Sequence, residues 1–140
     1  RDIGELARLL SRLGHPCERS EIEADPAAFA EIAANLTGQT VLLKGHQSVI
    51  SNGTDFWSCP PGPAALATAG TGDVLAGILG ALVATNAIEI LNDYNHLAYV
   101  AASAAFIQNQ AAVRASDGAP INAEAIVAAI PETLAKLLKR

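Results

Sequence analysis

The chain has 140 residues, 51% of them apolar but only 4% aromatic, and 14 acidic against 9 basic residues leave a net charge of -5. Such a length fits one domain with a real core and needs no disulfide or structural metal, and the apolar content excludes a disordered chain. A mildly acidic surface repels phosphodiester backbones and anionic lipid, so no nucleic-acid partner is expected.

Glu5, Leu6, Leu9, Leu10 and Leu13 recur at helical spacing and stop at Gly14, which predicts a short amphipathic helix. Asp25-Pro26 opens a second helix with a capping acid and a first-turn proline, and Phe29, Ile32, Ala33 and Leu36 carry it to Gly38. Thr40 to Leu43, Val49-Ile50 and Phe56-Trp57 read as three short strands, the last two paired antiparallel across Asn52-Gly53. Pro60-Pro61-Gly62-Pro63 forbids regular structure, and beyond it a small-residue loop, Ala67 to Asp73, feeds the apolar helix that starts at Val74. Further helices are predicted from about Asn92 to Arg114 and from Asn122 to the end, with Pro131 breaking or kinking the last. The stretch Ala98 to Ile107 is almost wholly apolar and should be buried on several sides. Helices surrounding few strands make an α/β architecture.

The longest apolar run, Val74 to Ala84, falls well short of the ~20 residues of a membrane-spanning helix, and the first residues lack the basic-then-apolar pattern of an export signal. No membrane partner and a cytoplasmic location are expected. Cys17 and Cys59 show no C-x-x-C or Cys/His spacing, so no metal ligands are assigned. The chain contains no Met and opens on Arg1, as a part of a longer protein would.

Gly70-Thr71-Gly72-Asp73 precedes a helix. Glycines let a ligand approach the backbone, and the first N–H groups of a helix are unpaired and partly positive, so this is a cradle for phosphate or an oxyanion. It lacks the lysine of a P-loop and does not fit G-x-G-x-x-G. Asp73 is either the general base that takes a proton from a substrate hydroxyl or simply a helix cap. Lys44-Gly45-His46-Gln47-Ser48 ends a predicted strand, where open α/β sheets place ligands, and reads either as a nucleotide-phosphate contact or as a turn with a solvated lysine. His46 receives no proton-transfer role. Gly4 and Glu5 alone look like ordinary helix-opening residues.

Taken together, Gly4-Glu5-Leu6-Ala7-Arg8-Leu9-Leu10, Val41-Leu42-Leu43-Lys44-Gly45 with Val49-Ile50, and Leu66 through Gly77 resemble, in order and spacing, the nucleotide-dependent NAD(P)H-hydrate dehydratases. The resemblance implies an α/β fold that is the C-terminal portion of a ribokinase-like three-layer sandwich, residues 1–140 forming one domain without its N-terminal half. It also implies an enzyme of nicotinamide nucleotide repair, which uses ADP or ATP as phosphoryl donor, with Mg2+, to dehydrate NAD(P)H hydrate. On that resemblance Lys44, Gly45, His46, Gln47, Ser48, Gly70, Thr71 and Gly72 bind the nucleotide, Asp73 is catalytic and meets the hydrate, and Gly4 and Glu5 lie at the substrate. Asp2 stands where the family carries a histidine. Half a fold would expose an apolar edge, so a homo-oligomer is expected, with feeble turnover by the chain alone. The alternatives are a small-molecule kinase of the same superfamily, acting on a sugar or a hydroxymethylpyrimidine, and a module that binds nucleotide without chemistry.

Overall fold

The computed structural model describes residues 2–116 and 120–139. Helix α1 (Ile3–Arg12) is closed at its start by a reciprocal cap: the Asp2 carboxylate accepts the Glu5 N–H at 2.7 Å, and the Glu5 carboxylate accepts the Asp2 N–H at 3.1 Å. Its Leu6 and Leu10 are fully buried. Helix α3 (Pro26–Thr37) has the predicted limits, with Asp25 accepting the Ala28 N–H at 3.1 Å and Gly38 ending it at φ 64°. Between them lies α2 (Arg19–Ala24), which the sequence reading missed. It is a six-residue turn of helix with one buried side chain, Ile22, too short to show a period.

Strands β1 (Val41–Leu43), β2 (Val49–Ser51) and β3 (Phe56–Ser58) form one antiparallel sheet in that order, so β1 pairs with β2 as well as β2 with β3. The connection after β2 runs over Asn52 to Asp55 instead of the tight Asn-Gly turn predicted. Asn52 Oδ1 accepts the N–H groups of both Thr54, at 3.0 Å, and Asp55, at 2.8 Å, which rounds the loop, while Gly53 takes φ 93°. Alternation divides the core between the two faces of the sheet. Val41, Leu43 and Val49 pack with α1, α2 and α3 on one face, and Leu42, Ile50 and Trp57, one rung across all three strands, face the remaining helices.

That second layer holds a 3-10 turn (Ala64–Ala67), α4 (Thr71–Thr85), α5 (Ala87–Asn92), α6 (His96–Ser116) and α7 (Ala123–Leu138). The helix predicted from about Asn92 is α6, which starts at His96; Asn92 instead ends α5, and Asp93 to Asn95 separate the two, with the Asp93 carboxylate accepting the Asn95 N–H at 3.0 Å. Helix α6 is buried along Ala98, Ala101, Ala104, Ala105, Ala111 and Ala112, and packs against the sheet, α4 and α7. Small side chains are what permit so many neighbours. Helix α7 continues past Pro131, so the proline does not break it; the carbonyl that loses its donor belongs to Val127, an exposed residue. Arg140 lies outside the described residues. Among those described, no helix is long and apolar enough to cross a membrane.

Candidate functional site

The loop after β1 and the start of α4, far apart in sequence, meet at a cleft of about 470 Å³. Lys44, Gly45, His46 and Ser48 line it from the first side, Thr71 and Gly72 from the second. Gln47 and Gly70 stand beside these residues but not on the wall.

Gly70 is the N-cap of α4 and holds φ 85°, a conformation that suits glycine. With no side chain there to cap the helix, the Asp73 and Val74 N–H groups both turn back onto the Gly70 carbonyl at 3.1 Å, and the Gly72 N–H has no backbone acceptor among the described residues. It is a free donor at the positive end of a 15-residue helix. The Lys44 ammonium comes to the same point: a Cβ on residue 72 would lie 2.7 Å from its Nζ. Together they make a place for negative charge.

Asp73 does not cap the helix, since Gly70 occupies that position. It lies in the first turn, next to Gly72 in sequence but not on the cleft wall, exposed, and its carboxylate has no hydrogen-bond partner among the described residues. An oxygen free of partners beside an anion cradle can receive a proton from an alcohol.

Asp2 also lines the cleft. Its carboxyl is held below the ordinary carboxylate range, first by the Glu5 N–H and further by the charges of Lys44 and Arg8, against the opposing effect of burial. Glu5 is committed to the reciprocal cap and Gly4 lies on a separate shallow groove beside Arg8, Arg12 and Arg19, so neither shares the cleft wall. A Cβ on residue 4 would lie 2.6 Å from an Arg19 guanidinium nitrogen.

Two wall residues escaped the sequence reading. Gln108 and Asn109 are neighbours on α6 and both line the cleft. The Gln108 Nε2 donates to the Thr71 carbonyl, and the Asn109 Nδ2 donates to the Pro60 carbonyl at 2.8 Å. A glutamine set in an otherwise alanine-rich buried helix was the available signal, because a buried amide needs a partner. Neither cysteine is poised as a nucleophile: burial raises both thiol pKa values, helped at Cys17 by Glu21 and Glu18. No cluster of three or more His, Cys, Asp or Glu side chains able to hold a metal occurs among the described residues. The carboxylates present therefore offer no protein cage for Mg2+, which in phosphate chemistry is carried largely by the nucleotide's own oxygens and water.

A three-stranded sheet between helical layers, with a glycine turn facing a strand-end lysine, is the arrangement of a ribokinase-like α/β protein. The chain belongs to the NAD(P)H-hydrate dehydratase family, whose sequence profile matches residues 2–133. It is similar to the ADP-dependent (S)-NAD(P)H-hydrate dehydratase of Neisseria meningitidis, 38% identical over 79 residues, a stretch that is 50% of this chain and 27% of that protein. It is also similar to the hydroxyethylthiazole kinase of Limosilactobacillus fermentum, 34% identical over 88 residues, 61% of this chain and 35% of the kinase. Among solved structures, the ADP/ATP-dependent NAD(P)H-hydrate dehydratase of Bacillus subtilis, co-crystallised with ATP and Mg2+, superimposes with a TM-score of 0.74 at 25% identity, covering 97% of this chain and 46% of that one. The chain thus spans about half the length of that enzyme and a smaller share of the curated relatives.

Proposed function

We propose that this chain carries the nucleotide-phosphate site and the general base of an ADP- or ATP-dependent NAD(P)H-hydrate dehydratase, and that residues 1–140 are the C-terminal half of its ribokinase-like domain. The observation that carries the reading is the meeting of Lys44 with Gly72 directly before a free, exposed Asp73. In this reading Lys44 and the Gly72 N–H hold the terminal phosphate. Asp73 takes the proton of the hydrate's ring hydroxyl as that oxygen attacks phosphorus and the bond to the nucleotide breaks. Phosphate then leaves with the former hydroxyl oxygen and the ring loses a proton, restoring the dihydronicotinamide. Mg2+ supplies charge neutralisation on the phosphates. Lys44 through Ser48 and Gly70 through Gly72 are the nucleotide contacts, and Gly4 and Glu5 act on substrate through the α1 start that they build.

A bacterial repair enzyme of this kind works in the cytoplasm, where its nicotinamide nucleotides are. The relation to hydroxyethylthiazole kinase supports a second reading, phosphorylation of a small alcohol by the same cradle and base without elimination. Incubating the full-length parent with ADP or ATP and NADPH hydrate separates the two. Appearance of the reduced ring's absorbance supports the dehydratase; a stable phosphorylated product without it supports the kinase.

A further inference from the structure

We propose that Gln108 is a positioning residue that aims the Gly72 N–H into the cleft; the inference rests on the reading above, in which a nucleotide phosphate meets that N–H. Gln108 is 7% exposed, and its Nε2 donates to the Thr71 carbonyl across 37 positions of sequence. A carbonyl cannot donate, so the amide end of Gln108 is fixed as the NH2 group. The Thr71 carbonyl and the Gly72 N–H belong to one planar peptide unit, and no peptide bond among those described is cis. In a trans unit the C=O and N–H point in opposite directions. Pulling the carbonyl inward onto α6 therefore turns the N–H outward.

The rest of Thr71 is tied down as well, its Oγ1 donating to the carbonyls of Leu66 at 2.8 Å and Thr68 at 2.9 Å. Gly72 itself has no side chain with which to resist rotation of that plane, and the Gly70 before it is conformationally permissive. A turn built from glycines needs an external anchor, and Gln108 is that anchor. Its neighbour Asn109, also on the cleft wall, donates to the Pro60 carbonyl at 2.8 Å, so consecutive residues of α6 hold both the glycine turn and the proline-rich segment that precedes it.

The test compares binding of ADP and of adenosine, by calorimetry, to the 140-residue chain and to Gln108→Met, which keeps length but loses the donor. Gln108→Asn, which keeps the amide but is one methylene short, serves if the first variant does not fold. The expected result is about tenfold weaker ADP binding with adenosine binding unchanged, because only ADP places phosphate at the turn; tenfold corresponds to about 1.4 kcal/mol. Equal losses for both ligands, or none, would overturn the proposal. Hydrogen exchange supplies a reading that needs no ligand: the Asp73 and Val74 amides should exchange several-fold faster in the variant while Ala104 and Ala105 do not change. Unchanged exchange at Asp73 and Val74 overturns the anchoring role. Absence of ADP binding by the unaltered chain would instead strike the nucleotide reading, leaving exchange to decide the anchor.

Discussion

The Lys44 ammonium stands 2.7 Å from the place a Cβ on residue 72 would take, so the bare backbone of Gly72 is what allows the strand-end lysine to cover the start of α4. The obstructing atom is the far end of a flexible side chain. Gly72→Ala should therefore displace the ammonium at little cost to the fold, and alanine's better helix propensity works in its favour. Thermal midpoints within a few degrees of the unaltered chain, together with ADP binding weakened about tenfold, roughly 1.4 kcal/mol, are the expected result. A variant that binds ADP normally would remove the lysine from the phosphate site.

Gly70→Ala should behave in the opposite way. Residue 70 holds φ 85°, and an added Cβ would also come within 3.1 Å of the Ala123 Cβ on α7. Alanine in a left-handed conformation costs about 1–2 kcal/mol. Urea unfolding of the variant should show that loss, with the slope against denaturant unchanged; equal midpoints would mean the loop can relax.

Asp73→Asn should leave folding almost untouched, because the carboxylate makes no hydrogen bond among the described residues and loses only its favourable position in the first helical turn, worth about 0.3–1 kcal/mol. In the full-length parent the same change should abolish hydrate dehydration and spare nucleotide binding. Unchanged turnover would remove Asp73 as base.

The pH dependence of stability follows from Asp2. Its folded pKa is lowered chiefly by the Glu5 N–H, so its stabilising effect is fully present above the unfolded value of about 4 and is lost as pH falls through the lower, folded value. Asp2→Ala should cost about 1 kcal/mol at neutral pH, as loss of an N-cap does. The two stability curves should converge in acid below pH 4. Parallel curves through that range would show that ionisation of Asp2 contributes nothing to acid sensitivity.

Self-association is expected from the outer layer. Helix α4 buries only Thr71 and Leu75, and Ile88 and Leu91 on α5 are 73% and 86% exposed. Apolar surface of this kind marks an interface. Light scattering should give at least twice the mass of one chain, and a strictly monomeric particle would count against it.

How much of this was legible beforehand depended on how local each signal is. Helix α3 was readable to its ends because Asp25, Pro26 and Gly38 act on their own neighbours. Helices α2 and α5, six residues each, carry too few apolar positions to show a period, and they form because Ile22 finds the core or because the chain must turn between α4 and α6. The hairpin loop was lengthened by side-chain bonds from Asn52, which compete with the tight turn that Asn-Gly favours. At the cleft, Lys44 and Gly72 were each visible as motifs, but their approach was not, since it is set by packing of β1 and α4 about α6. Gln108 belongs to no motif. It acquires a role only when the fold brings Thr71 beneath it.

The single tryptophan lies within this same framework. Trp57 sits on β3 with its ring centroid 5.1 Å from that of Tyr99 on α6, edge to face, on the side of the sheet that leads to the cleft. Excitation absorbed by Tyr99 will pass to Trp57 at that range, so emission from one indole reports whether sheet and helix remain packed together. The chain thus carries an intrinsic optical gauge of the support beneath its glycine turn, readable without any added label.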